Sequence, residues 1–338
     1  MVSLKELYNT ILTVYNSIKK APNLFLWRHL EDTNLYLDND YALTKIQEIH
    51  AKESKTPFHA YWYGDIGRKQ AFSMKSFLCT QNLEKVELNL WLDVDNGFTD
   101  FINNIYLKPL LPFINIKSYS VHDQANDFFA KKQIDEIVGN DDLVHKADAF
   151  RFIILAKFGG VYFDLDMMFL KNFEPLLGDE FCYAWEFEPY ANSAILSLAK
   201  NGKLANYLLE KTKHSEIYHP TFTFRYSDKK LSSLLVYPCT FFDPIWMPFN
   251  SLLNQIPFST FDGFFKEFNE SYIKIDHINS YKHFFPGCYT YHWHNQWNSN
   301  EYENSYFGIF DKEFEEILNS RFNMTSLVYS LNKLNIKF

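Results

Sequence analysis

The chain has 338 residues, 47% apolar and 19% aromatic, enough core material for one large domain with an appended helical part. A net charge of −8 with no long basic run argues against non-specific nucleic-acid binding, and no stretch approaches the roughly 20 apolar residues of a membrane span. Cys79, Cys182, Cys239 and Cys288 form no CxxC pair and read as free buried thiols in a reducing cytoplasm.

Residues 1–55 read as a helical, polar-faced segment. Leu4, Leu7, Ile11, Val14 and Ile18 recur at amphipathic-helix spacing, and Lys5 and Glu6 interrupt the apolar run that a secretory signal needs. A first strand is expected from Pro57 to Gly64, then a helix over 68–80 and an alternating strand from Val86 to Asp93. Such a βαβ opening implies a parallel sheet with helices on its faces. Asp93-Val94-Asp95-Asn96-Gly97 fails as a calcium loop, because its glycine comes one position early and no Glu holds the twelfth position. It reads as a polar turn, with Asp93 a minor candidate for touching a ligand. Ile114 to Tyr119 is a candidate strand and Asp127 to Val138 a candidate helix, while Asp141-Asp142 is placed to cap the next helix at its positive end.

That next helix opens the most informative stretch, His145 to Met168. Phe150, Ile153, Ile154 and Phe158 give a helical face packed on a core, and Gly159-Gly160 stops the helix because glycine takes the left-handed cap without steric cost. Val161-Tyr162-Phe163 favours a strand, with Asp164-Leu165-Asp166 directly after it. Alternation along that strand would turn Tyr162, Asp164 and Asp166 to one side, and Asp148 and Arg151 share a helix face. Two carboxylates side by side need a cation between them, and a hard divalent ion, manganese or magnesium, suits them. Such an ion keeps positions open for phosphate oxygens, so a diphosphate is the expected ligand.

Phe181 to Phe187 reads as a further strand ending in Glu186-x-Glu188-Pro189, acids that suit a solvated strand end at least as well as catalysis. Asn192-Ser193-Ala194-Ile195 reads as the opening of a helix, and residues 200–285 as helices and aromatic loops, with Phe241-Phe242-Asp243 between Pro238 and Pro244. Tyr289 to Trp297, YTYHWHNQW, sets His292 and His294 in an aromatic run, and Phe310 to Phe338 reads as helices without a motif.

Asp148-x-x-Arg151, seven residues, Gly159-Gly160-Val161-Tyr162 and then Asp164-x-Asp166 resemble the signature of the DXD-containing sugar transferases of glycosyltransferase family 32. The string is also similar to the catalytic domain of the large clostridial glucosylating toxins. The resemblance implies an α/β fold of the GT-A nucleotide-diphospho-sugar transferase type, a mainly parallel twisted sheet flanked by helices. Its expected organisation is a helical segment over 1–55, a catalytic domain over 56–300 and a helical tail over 301–338 packed on that domain. The implied reaction is a retaining, metal-dependent sugar transfer from a nucleotide-diphosphate sugar, with a UDP-sugar and Mn2+ or Mg2+ expected, to a hydroxyl of a glycan, lipid-linked glycan or protein.

The same resemblance assigns roles. Asp166 would ligate the metal, with Asp164 and His292 completing its protein ligands and Asp164 also holding ribose or sugar hydroxyls. Asp148 and Arg151 would orient the donor sugar, since a guanidinium fork and a carboxylate match vicinal hydroxyls. Tyr162 would support the nucleotide, Trp62 would stack on its base and Trp297 would close over the donor phosphate, with Gln296 standing where the family has Ser. Asn192 would lie near donor and acceptor, and His292 is preferred to His294 because it follows the strand-like YTY. Glycan synthesis for lipopolysaccharide or capsule, in the cytoplasm or at the inner membrane face, is the expected setting, with an effector that modifies a host protein as the alternative. A haloacid-dehalogenase-like phosphatase, which carries its DxD after the first strand, and a non-catalytic sugar-binding protein complete the alternatives.

Overall fold

The computed structural model describes residues 55–93, 101, 103–139, 143–185, 188–213, 220–246, 258, 260–268, 278–285 and 287–322. Residues 1–54 of the helical segment expected over 1–55, the Asp95-Asn96-Gly97 turn, the Asp141-Asp142 cap, Glu186 and residues 323–338 lie outside the described residues.

The chain opens with β1 (Thr56–Trp62), α1 (Arg68–Thr80), β2 (Val86–Asp93) and β3 (Asn115–Tyr119). Next come α2 (Val121–Ala125), α3 (Lys131–Val138), α4 (Leu143–Phe158), β4 (Gly160–Phe163) and β5 (Met167–Phe169). β6 (Phe181–Ala184), β7 (Ala191–Leu198), α5 (Lys203–Lys213), α6 (Pro220–Thr223), β8 (Leu235–Tyr237) and α7 (Cys239–Phe242) follow, and β9 (Thr290–His292) and α8 (Tyr306–Phe322) complete the described elements.

Seven strands form one sheet in the order β3-β2-β1-β4-β7-β6-β8, and β5 and β9 form a separate two-stranded ribbon. β1 runs parallel to β2 and β4, β2 to β3 and β6 to β8, whereas β7 is antiparallel to both its neighbours. This is the mostly parallel α/β architecture that the resemblance implied. The connection that follows β1 goes to one side and the chain returns to β4 on the other, so a crevice opens at the carboxyl ends of β1 and β4.

Period-two alternation divides the core. Tyr61, Trp91, Tyr119 and Tyr162 pack under α4, while Phe58, Ala60, Leu88, Leu90, Val161 and Phe163 pack under α1. All residues from Asp148 to Ala156 of α4 are buried, so the helix is enclosed nearly all round. Phe158, expected in the core, is 38% exposed at its end. On the other face α8 docks on α1 through the Phe72–Phe307 ring pair, with centroids 4.9 Å apart, and through Arg68 Nε 2.7 Å from Asp311 Oδ2. Lys75 also pairs with Asp311, which is buried. None of the four cysteines is in a disulfide, and Cys79 is only partly buried. Among the described residues no helix is long and apolar enough to cross a membrane.

Two expected elements differ. Asp127 to Val138 is not one helix, because the chain turns inward at Phe129, which is 6% exposed in the core, and restarts as α3 after an extended Ala130. Asn192 to Ile195 does not open a helix but lies in β7, between β4 and β6, with all eight strand residues buried. Burial on both faces and pairing on both edges outweigh the helix preference of Ala and Leu in so short a run.

Candidate active site

The strand carrying the DxD ends before its acids. After Phe163 the Asp164 N–H donates to Ala194 O at 2.9 Å, and Leu165 and Asp166 make a turn into β5. Asp166 therefore reaches the crevice through a turn, not through the strand alternation expected of it. Met167 pairs with His292 across the β5–β9 ribbon, and the Trp293 N–H donates to Asp166 O at 3.0 Å. That register brings His292 Nε2 within 3.1 Å of Asp166 Oδ1.

Upstream, Gly159 and Gly160 have φ of +70° and +94°. A Cβ on Gly160 would stand 2.1 Å from Pro57 O, so the backbones of β4 and β1 meet only because nothing projects there. His59 ties the same corner together. Its Nδ1 accepts from Trp91 Nε1–H at 3.1 Å and its Nε2–H donates to Gly159 O at 3.0 Å. Only the neutral ring satisfies both bonds, and burial holds its pKa down at about 4.

Arg151, 4% exposed, joins three elements. One terminal nitrogen lies 2.9 Å from Asp148 Oδ1 and 3.2 Å from Asp164 Oδ1, and the other donates to Ser193 Oγ on β7 at 2.7 Å. The guanidinium stacks over the Tyr162 ring at 4.6 Å, and the Tyr162 hydroxyl donates to Asp164 Oδ1. The structure thus gives Asp164 a cation of its own.

Asp166 is paired differently. Its Oδ2 accepts from the Asn295 N–H at 2.7 Å, while Oδ1, facing His292, lacks a well-aligned donor. Burial alone would raise its pKa, but His292 and that backbone donor bring it down to about 2, whereas burial pushes Asp164 up. Burial would lower His292, but Asp166 and Asp243 raise it to about 10. Asp243, fully buried, lies 2.8 Å from His294 Nε2 and 3.6 Å from His292 Nδ1, and the two imidazoles stack with centroids 3.8 Å apart.

Above the acids is a cleft of about 260 Å3, walled by Trp62 and Tyr63 at the end of β1, Leu143 and Val144 at the start of α4, and Trp297. Trp62 and Trp297 meet edge to face, 4.9 Å between centroids. His294 and Asn295, at φ 49° and 57°, turn the Trp297 loop through two consecutive left-handed residues. Lys69 Nζ donates to the carbonyls of Gln296, Trp297 and Ser299 at 2.6, 2.9 and 2.6 Å. Burial pushes its ammonium pKa down to about 8.

Of the residues singled out in the sequence, Trp62, Arg151, Tyr162, Asp164, Asp166 and Trp297 line this cleft. Asp148 supports Arg151 from behind, and His292 stands beneath Asp166. Asn192, 5% exposed, does not line it, and its Oδ1 accepts from the Ala194 N–H at 2.8 Å. Asp93 is buried at the end of β2 and accepts from the Tyr61 hydroxyl, and Glu188 is exposed. Sequence reasoning missed Ser193, Asp243, Asn295 and Lys69. Their only signal is tertiary, since each meets the site from a segment distant in the chain.

Asp164, Asp166 and His292 offer ligand atoms within 4.8 Å of one another, as do Asp243, His292 and His294. Two carboxylates and an imidazole, with the buried Asp166 Oδ1 short of a donor, fit a hard divalent ion.

Residues 92–182 match the family described as glycosyltransferase sugar-binding region containing DXD motif. No curated protein matches the chain. Among solved structures it is similar to the PaToxG glycosyltransferase, at 12% identity and a TM-score of 0.39, over 60% of this chain and 78% of that one. It is similar to the glycosyltransferase GlyE of Streptococcus pneumoniae TIGR4, at 12% identity and a TM-score of 0.40, over 83% of this chain and 64% of that one. An active-site mutant of LgtC is similar at 12% identity and a TM-score of 0.38, over 78% of this chain and 95% of that one. Asp148, Arg151, Asp164 and Asp166 all lie inside residues 92–182, the part of the chain that matches this glycosyltransferase family.

Proposed function

We propose that the protein is a metal-dependent, retaining transferase that moves a sugar from a nucleotide-diphosphate sugar, a UDP-sugar first among the candidates, to a hydroxyl of a growing glycan. The observation that carries this reading is the convergence of Asp164, Asp166 and His292 at the floor of a cleft walled by Trp62 and Trp297. Asp166, Asp164 and His292 would hold manganese or magnesium, which when bound supplies Lewis-acid stabilisation of charge on a departing diphosphate.

The remaining steps belong to the chain. Trp62 offers an aromatic face to a nucleobase at the end of β1, and Trp297 covers the diphosphate side of the cleft and limits water access. Arg151, fixed from behind by Asp148 and Ser193, opposes the rise that burial gives the Asp164 pKa and holds this acid at the cleft, where it would accept from ribose or sugar hydroxyls. Asn192 would act at one remove, because it orders the β7 backbone that carries Ser193. Among the described cleft-lining residues the acids are Asp164 and Asp166, both committed to this floor, so attack on the same face as the departing diphosphate is the route proposed for retention.

The deciding experiment is release of free sugar from UDP-sugars with manganese and no acceptor, in wild type and Asp166→Ala. Turnover in the wild type lost in the variant is expected, and equal turnover in both would refute the assignment. An inverted anomer in the transferred product would remove the same-face route.

A further inference from the structure

The ammonium of Lys69 lies outside the cleft, is 2% exposed, and spends its hydrogen bonds on the carbonyls of Gln296, Trp297 and Ser299. Its stem passes beside Phe265, with Nζ 4.4 Å from the ring centroid, and Glu301 is the acid whose field acts on it. Burying an ammonium is costly unless its hydrogen bonds are met, and removing it would strip that donor from three carbonyls, of which Gln296 O retains the Ser299 N–H at 3.2 Å. The loop it holds is not relaxed by itself. His294 and Asn295 stand one after the other in the left-handed region, at φ 49° and 57°, which L-residues adopt only under constraint.

Two attachments oppose that strain. One is Lys69 at the back of the loop, and the other is the Asn295 N–H on Asp166 Oδ2 at the front. Between them they fix Trp297, whose ring meets Trp62 across the cleft and whose Nε1–H donates to Asn295 Oδ1 at 3.2 Å. We propose that Lys69 is a positioning residue for sugar transfer: it anchors the 294–299 loop so that Trp297 stays against Trp62 and water is kept from the donor. This rests on the transferase reading for its purpose, but the anchoring itself is independent of it.

Lys69→Met keeps the stem and removes the ammonium. Amide hydrogen exchange in the full chain is expected to speed at least tenfold at Asn295 and Ser299, with the Trp293 amide of the β5–β9 ribbon unchanged as the internal reference. With donor and acceptor present, the ratio of sugar released to water over sugar transferred is expected to rise at least fivefold in the same variant. Wild-type exchange at Asn295 and Ser299 overturns the proposal, as does faster exchange with an unaltered ratio. Should Lys69→Met fail to fold, Lys69→Gln, which keeps a donor but neither the charge nor the reach, carries the same expectations. If the wild type turns over no nucleotide sugar, the transferase reading fails, and the exchange result alone decides whether Lys69 anchors the loop.

Discussion

His292 faces Met167 across a two-stranded ribbon, and this single register sets its ring 3.1 Å from Asp166, two positions upstream of β5's centre. The candidate metal floor is therefore assembled by strand pairing between segments far apart in the chain, rather than by the DxD turn alone.

Removal of divalent metal with a chelator is expected to abolish sugar turnover, and added manganese to restore it. Asp166→Ala should bind manganese at least ~100-fold more weakly, since it loses a charged ligand outright. Electron paramagnetic resonance of free manganese measures this without any assay of activity, and unchanged binding would place the ion elsewhere.

Asp243 orients both histidines from behind, being 2.8 Å from His294 Nε2 and 3.6 Å from His292 Nδ1. Asp243→Asn keeps the shape and removes the charge. Manganese affinity is expected to fall about 10–100-fold, the usual effect of losing a carboxylate that steers a ligating imidazole. Titration calorimetry with a check of cooperative unfolding distinguishes this from simple loss of fold.

His59 gives the fold an acid limit. Its pKa is about 4 in the fold against 6.5 for a free imidazole, so the unfolded chain binds more protons between those values. Stability from this group is complete above pH 6.5 and falls as pH drops towards 4, by about 3 kcal/mol in total at 1.36 kcal/mol per pKa unit. Urea midpoints between pH 7 and 4 should show that slope, and His59→Gln should flatten it.

Gly160→Ala places a methyl 2.1 Å from Pro57 O at a φ of +94°. Loss of at least ~2 kcal/mol of stability is expected, from left-handed strain plus displacement of β4 from β1. Chemical denaturation of the purified variant measures it, and wild-type stability would contradict the packing described.

The helix, Gly-Gly break, strand and DxD were readable because each is set by local chemistry: α1 and β2 occur at the expected bounds and α4 ends at Phe158 as its glycines require. β7 was misread because eight residues of mixed propensity do not announce that both their edges will be paired. Asp243 was passed over among aromatic neighbours, since nothing within Phe241-Phe242-Asp243 reveals two imidazoles waiting opposite it. Lys69 lies inside the helix expected over 68–80 with no local signal of its own, and only the return of the chain 227 residues later gives it a role.

The ribbon has a consequence for biosynthesis. Asn295 and Asp166, joined by one hydrogen bond, are separated by 129 positions, so a chain emerging from the ribosome completes its acidic turn long before the strand that braces it exists. Assembly of the candidate metal floor is thereby deferred until residues 290–295 have been made, and a chain terminated before them carries the Asp164-x-Asp166 turn without its brace.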